Sequence, residues 1–229
     1  GATGATTFAG IGATGNTLAR RNAFEAVVNA SRNATGNTIY ERGFATVQQR
    51  AVQFADRVNT ALTGARTFTA LPDTGVTLSP LQTQLRTVAK MISARANLSM
   101  SRQVFFVSMG GFDNHDIQNT TQSPLMARLA HAMAYFDGAL ANLNGIDMRS
   151  AVTTFTASDF SRTFTTNGDG TDHAWGSHHF VMGGGVNGGS VYGQFPTVGT
   201  DVTGGFQNPD ISGNVLIPTV SVDQYAGTI

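Results

Sequence analysis

Between Gln103 and Met182 the residues follow one order: a short β-rich run, a helical stretch, a second β-rich run, a long polar loop and a third apolar run. That order constrains the fold more than any other feature, because alternating strands and helices belong to α/β architectures. The first run, Gln103–Met109 (QVFFVSM), has the apolar, β-branched and aromatic character of a buried strand in a parallel sheet, and it ends in Gly110-Gly111. Ser123-Pro124 then opens a helix with Leu125, Leu129, Met133, Phe136, Leu140 and Leu143 on its inward face. Val152–Ala157 (VTTFTA) is the second strand, and His179–Met182 the third, before Gly183-Gly184-Gly185.

The residues before Gln103 have a different, helical spacing. Residues 1–16 are Gly/Ala/Thr-rich and read as loop or linker. Thr17 is placed to cap a short helix carrying Leu18, Phe24, Val27 and Val28. Ile39, Phe44, Val47, Ala51, Phe54, Val58 and Leu62 recur at steps of three to five, which predicts an amphipathic helix ending near Gly64. A loop with a Pro-Asp-Thr-Gly turn follows. Ser79-Pro80 is an N-cap and first-position pair for a helix with Leu81, Leu85, Val88, Met91 and Ile92 on one face. The organisation expected is a helical region with linkers over 1–78 and an α/β half-domain over 79–229. The last stretch of the chain is turn-rich, with no evident closing element.

Composition narrows the function classes. Lysine and arginine number 14 against 14 acids, so there is no basic excess to carry electrostatic nucleic-acid binding. With no cysteine, a disulfide scaffold, a thiolate zinc site and a cysteine nucleophile are all excluded. No apolar run reaches the ~18 residues of a membrane-spanning helix.

Ligands of open α/β sheets gather beyond the carboxyl ends of strands. Behind the first run stand Asp113, Asn114, His115 and Asp116; behind the second, Ser158, Asp159, Phe160, Ser161 and Arg162. Asp169, Asp172, His173, Trp175, His178 and His179 precede the third. Seven of the 14 acids and all five histidines fall between Asp113 and His179. Imidazole with carboxylate suits zinc, manganese or iron, while oxygen ligands alone favour magnesium or calcium. Asp113 and His115, two apart on an extended loop, point to the same side and can share an ion. Asp172-His173 can bridge two ions ~3.5–4 Å apart. Arg162, just past a strand, suits a bidentate clamp on a tetrahedral oxyanion.

Each of these residues also has a plainer reading. Asp113 and Asp169 can be turn formers. A single loop histidine can be a hydrogen-bonded structural residue, and His131 lies on a helix as a surface or core residue. Strand alternation sends His178 and His179 to opposite faces, so at most one of them reaches a site. Trp175 can be packing or a wall of the site, and Gly183–Gly185 lack the following helix of a nucleotide loop. It is the convergence of three loops that raises metal binding above these readings.

The strings RQVFFVSMGGFDNHDIQ, VTTFTASDFSRTFTTNGDGTDHAWGSHHFVMGGGVNGG and LIPTVSVDQYAG closely resemble the bacterial family of unknown function numbered 1501, grouped with the alkaline-phosphatase and sulfatase superfamily. The resemblance covers roughly residues 80–229 and extends more weakly into the preceding helices. It implies a three-layer α/β/α sandwich, present in part, with metals at the strand ends. The family's GGFDxH pattern falls on Gly110–Asp113 and His115. Its Ser-Asp-Phe-Gly-Arg pattern falls on Ser158–Arg162, with Ser161 in place of glycine. Its Asp-His-Gly-Trp-Gly-Ser-His-His block falls on Asp172–His179, with Ala174 in place of glycine. By superfamily logic Asp113, His115, Asp159 and His173 are ligands, completed by His178 or His179.

Nothing in residues 1–40 matches the early acidic ligand and nucleophile of superfamily hydrolases. The expectation is therefore a fragment of a longer exported protein, periplasmic or at the cell surface, whose nucleophile lies elsewhere. The function expected is metal-dependent hydrolysis of a small anionic phosphate or sulfate ester. One or two divalent ions (zinc, manganese or calcium) would serve it, with Arg162 on the substrate oxygens and Ser158 and Trp175 facing the substrate. The alternative is a non-catalytic exported surface protein that packs against other exported proteins in a larger assembly. A carbohydrate-cleaving site has only Trp175, the polar loops and an Asp159–Asp172 pair behind it.

Overall fold

A computed structural model describes residues 15–63, 78–196, 211–212 and 215–229. The linker expected before residue 15 and the Pro-Asp-Thr-Gly turn lie outside them. The chain forms two compact units, one of residues 1–68 and 87–105, the other of residues 69–86 and 106–229.

The first unit is helical. Helices α1 (Gly15–Asn33) and α2 (Ile39–Thr63) form an antiparallel hairpin. Thr38 and Glu41 start α2 with a reciprocal cap: the Thr38 amide donates to the Glu41 carboxylate at 2.7 Å and the Glu41 amide to the Thr38 hydroxyl at 3.2 Å. Thr17, expected as a cap, lies inside α1 instead. The two helices are tied by the Arg21 guanidinium on Asp56 and the Gln49 amide on Asn29. Val52 is buried between these polar ties and Ala45 one turn beyond Gln49. Further along α2, Val58 and Ala61 pack with Ala94 and Leu98, beside Leu62, Met91 and Met100. The inward face expected for α2 is therefore only partly inward. Val58 is buried, but Phe44, Val47 and Phe54 are exposed. Periodicity finds a stripe; it does not say which row α1 packs against, and α1 takes the row with small residues.

Ser79 opens α3 (Pro80–Ser93) as expected, with its amide donating to Gln82 Oε1 at 2.8 Å and its hydroxyl accepting from the Gln82 amide at 3.3 Å; residues 80–86 of this helix count with the second unit and 87–93 with the first. Helix α4 (Gln118–Ala141) starts five residues before the expected Ser123-Pro124, and Pro124 sits inside it. At the seventh position of α4, Pro124 forfeits the amide bond to the Thr120 carbonyl and its ring crowds that carbonyl, a cost that the packing of the helix has to outweigh. The buried face of α4 is Leu125, Ala132, Tyr135, Phe136, Ala139 and Leu140, with Leu143 beyond its end.

The strands differ from the parallel sheet expected. Among the described residues they form three antiparallel pairs. Thr154–Phe155 (β1) pairs with Val181–Met182 (β4), Ser161–Thr166 (β2) with Thr171–Ala174 (β3), and Ile211–Ser212 (β5) with Val215–Leu216 (β6). Gln103–Met109 alternates half-buried and exposed residues, the pattern of a strand, but joins no ladder among the described residues. Val104 and Phe106 are 97% and 92% exposed, and the Gln84 side-chain amide meets the Ser108 N–H at 3.0 Å and its C=O at 2.9 Å. An apolar β-branched run selects extended backbone, but a ladder needs a second strand. The protein is thus a mixed α/β chain of helices and small antiparallel sheets. No described helix is long and apolar enough to cross a membrane.

Gly183-Gly184 follow β4 and pass over the turn Arg149–Ala151 (a single 3-10 turn), where the Gly184 amide donates to Arg149 O at 2.7 Å. A Cβ on Gly184 would stand 2.8 Å from Ser150 N, so close backbone approach accounts for the glycines. Arg149 forks onto Asp147 at 2.7–3.2 Å and holds its carboxyl down at about 2 through those hydrogen bonds. Because the folded value is depressed, the pair's contribution is complete above the ordinary aspartate value near ~3.9 and vanishes as pH falls through about 2. A carboxyl-carbon NMR titration should find Asp147 near that lower value, and Arg149→Gln should return it toward the ordinary one. A short helix, α5 (Val222–Thr228), closes the described chain behind a Ser221–Gln224 capping box, and Tyr225 donates to Thr156 O at 3.1 Å.

Candidate functional site

Two segments meet at the site. One is the loop Asp113–Asp116 that leads into α4, and the other is the β2–β3 hairpin. Sequence reading treats the hairpin as polar loop; in the structure Arg162 pairs with His173 across it, and Asn167–Gly170 form its turn. The turn lies directly on the loop. Gln118 N donates to Asp169 O at 3.0 Å, and the Asn167 side-chain amide donates to His115 O and to Asp172 Oδ1, both at 3.2 Å. A Cβ on Gly170 would fall 1.9 Å from His115 O. Gly170→Ala should therefore force the two segments apart. Overpacking of this kind costs about 1–3 kcal/mol, and a urea titration alongside metal titration should show stability and metal affinity falling together.

This contact brings three ligating atoms together. Asp113 Oδ1 lies 2.7 Å from His173 Nε2 and 3.0 Å from His115 Nε2, and the two Nε2 atoms are 3.1 Å apart. The ring of His173 stacks on Phe160 at 4.1 Å between centroids and 14° between planes, which fixes its direction. On the far side of His115, Nδ1 lies 3.4 Å from Asp172 Oδ1, the carboxylate–histidine arrangement that orients metal ligands. The His173 hydrogen bond, then the charges of His173, His115 and Arg162, hold the Asp113 carboxyl below the usual aspartate range. All three residues are at least two-fifths exposed, so the cluster is open to solvent.

The trio fits a cation. Ligands ~2.0–2.1 Å from a tetrahedral ion stand about 3.4 Å apart, and this triangle has sides of 2.7–3.1 Å. Without a cation, Asp113 Oδ1 can accept from both imidazole N–H groups; with one bound, the same three atoms turn their lone pairs to a common point. The side-chain nitrogen of Asn114, between Asp113 and His115 in sequence, is buried with no partner among the described residues; as a donor it has no part in holding a cation.

Arg162 is already committed. Its Nη1 donates to Thr171 O at 2.9 Å, and Nη2 to Phe112 O at 2.6 Å and to Asp113 Oδ1 at 3.3 Å. Its cationic carbon lies 5.1 Å from the centre of the Phe160 ring. The other predicted residues are not in the cluster. Asp159 is exposed, and Ser158 closes its own turn by donating to Phe160 O at 2.7 Å. His178 and Trp175 are exposed; His179 stacks on Tyr225 at 5.6 Å, and burial, then the neighbouring His178, lowers its pKa. His131 is exposed on α4. Sequence reading misses Phe160 as a stacking partner and Asn167 as the bridge between segments. For Asn167 a signal existed, since Asn-Gly marks a hairpin turn.

Fold and site together define a mixed α/β protein with an aspartate–histidine–histidine cluster where a loop meets a hairpin. The chain belongs to the family described as proteins of unknown function, DUF1501, whose sequence profile matches residues 13–226. No curated protein and no solved structure matches it.

Proposed function

We propose that the chain is a hydrolase of phosphate or sulfate esters acting outside the cytoplasm, with a divalent metal held by Asp113, His115 and His173. The observation that carries this reading is the approach of Asp113 Oδ1 and the two imidazole Nε2 atoms to within 3.1 Å of one another. The likeness of the motifs to the alkaline-phosphatase and sulfatase superfamily supplies the substrate class, and the openness of the cluster is consistent with a small anionic ester. When bound, zinc or manganese supplies Lewis acidity and compensates charge developing on an oxyanion.

The protein's own groups prepare that place. Asp172 orients His115, Phe160 holds the plane of His173, and Arg162 donates to Asp113 Oδ1 and to the Phe112 carbonyl beside it, so its part is positioning and not gripping substrate. The nucleophile is not one of these residues. Metal analysis of the purified protein, with turnover of aryl phosphates and aryl sulfates before and after chelation, tests the reading. Bound metal with activity that returns on adding zinc or manganese is the expected result; neither metal nor turnover would overturn it. A second reading, a non-catalytic exported assembly protein, is favoured by the Arg162–Asp113 contact, which ties the site together without an ion. It predicts that Asp113→Asn leaves every measurable property except stability unchanged.

A further inference from the structure

Along α2 the outward residues are Tyr40, Gly43, Phe44, Val47, Arg50 and Phe54, with half-buried Ala51 beside them. Tyr40 is 85% exposed, Phe44 68%, Val47 61% and Phe54 45%. Helix α1 does not cover this stripe, because it packs along the Ala45–Val52 row. Arg50 and Arg57, at its flank, have no acidic partner among the described residues. The stripe is self-complementary when run against itself in reverse about Val47. Tyr40 then faces Phe54, Gly43 faces Ala51, Phe44 faces Arg50, and Val47 faces itself.

We propose that α2 docks antiparallel on α2 of a second copy of this chain, with a two-fold axis at Val47, so that two hairpins make a four-helix bundle. Small residues opposite each other at Gly43 and Ala51 let the helices approach, and each Arg50 lies over the Phe44 ring of the other copy. A two-fold contact of this kind uses one patch on both partners. Aromatic side chains carry roughly 150–250 Å² each, so the exposed parts of the four large residues come to about 500 Å² per copy. A pair then buries about 1,000 Å², the size at which specific interfaces begin. The formal net charge of zero leaves no general repulsion between copies.

Sedimentation velocity of the whole chain across roughly 1–100 μM, the range that a small interface spans, should show a monomer–dimer equilibrium. Val47→Glu sets like charges on the axis and should weaken it at least tenfold while leaving helicity by circular dichroism unchanged, since Val47 is exposed. The chain has no cysteine, so Val47→Cys should form a disulfide dimer under mild oxidation at least ten times faster than Thr60→Cys, an exposed position off the stripe. A monomer at every concentration, a dimer indifferent to Val47→Glu, or equal cross-linking at the two positions would overturn the proposal. So would a monomer that sediments with phosphatidylserine vesicles, which would assign the stripe to a membrane surface.

Discussion

His173→Ala is expected to lower the affinity for zinc or manganese at least about 100-fold. Changing a group that merely orients a ligand already costs about 10–100-fold, and His173 is one of the three ligands proposed. Its Nε2 lies 2.7 Å from Asp113 Oδ1, so truncation also removes the hydrogen bond that does most to lower the pKa of that carboxyl. Asp172→Asn, which changes only the group behind His115, should cost roughly tenfold. His179→Ala should cost nothing, because that ring stacks on Tyr225 away from the cluster. Titration calorimetry with each metal, followed by elemental analysis after dialysis, ranks the three variants. Equal affinity for His173→Ala and His179→Ala would remove Asp113, His115 and His173 as the ligand set.

Phe136→Ala should destabilise the fold by about 3–5 kcal/mol, the range for emptying an aromatic site in a packed core. Phe136 is 2% exposed on the inner face of α4, beside Leu140 and within a turn of Ala132. Small neighbours such as Ala132 and Ala139 cannot swing in to fill the space, which puts the cost toward the top of the range. The effect should appear as a lower urea midpoint with an unchanged slope. Phe106→Ala, at an exposed position, should leave the midpoint nearly unmoved. A loss below about 1 kcal/mol for Phe136→Ala, the ordinary size of a point change, would mean that α4 is not packed as described.

Much of the candidate site was legible because its residues lie close together in sequence. Asp113 and His115 stand two apart, Asp172 adjoins His173, and each pair declares itself without tertiary information. What brings the pairs together was not legible. The β2–β3 hairpin is rich in threonine and reads as loop, so His173 was expected before a strand and in fact lies on one. Phe160 against His173 is a contact between a turn and a strand that no spacing encodes. Asp159, His178 and His179 were drawn in by the resemblance and by their types, but reaching a shared point depends on backbone path. The helices show the same division. Periodicity and the Ser79-Pro80 cap located α2 and α3, whereas Thr17 and Ser123-Pro124 lie inside their helices and the Ser221–Gln224 box is a local signal for α5. Which face of α2 packs depended on α1, and Gln103–Met109 has the conformation its residues prefer without the partner that would make it a strand.

Ile117, the residue before α4, has φ 47° and no side-chain cap. A β-branched residue in left-handed backbone costs roughly 1–2 kcal/mol, and with its side chain 61% exposed no packing repays that locally. The turn is still made, since Ile117 O accepts the amides of Thr120 and Thr121 and so begins the helix two residues after His115. The free energy that keeps His115 turned toward Asp113 is therefore lent by the buried face of α4, some turns away. The hinge between ligand loop and helix is where slow breathing of the native state should start, and the tempo of ligand exchange would follow the tightness of the helix core.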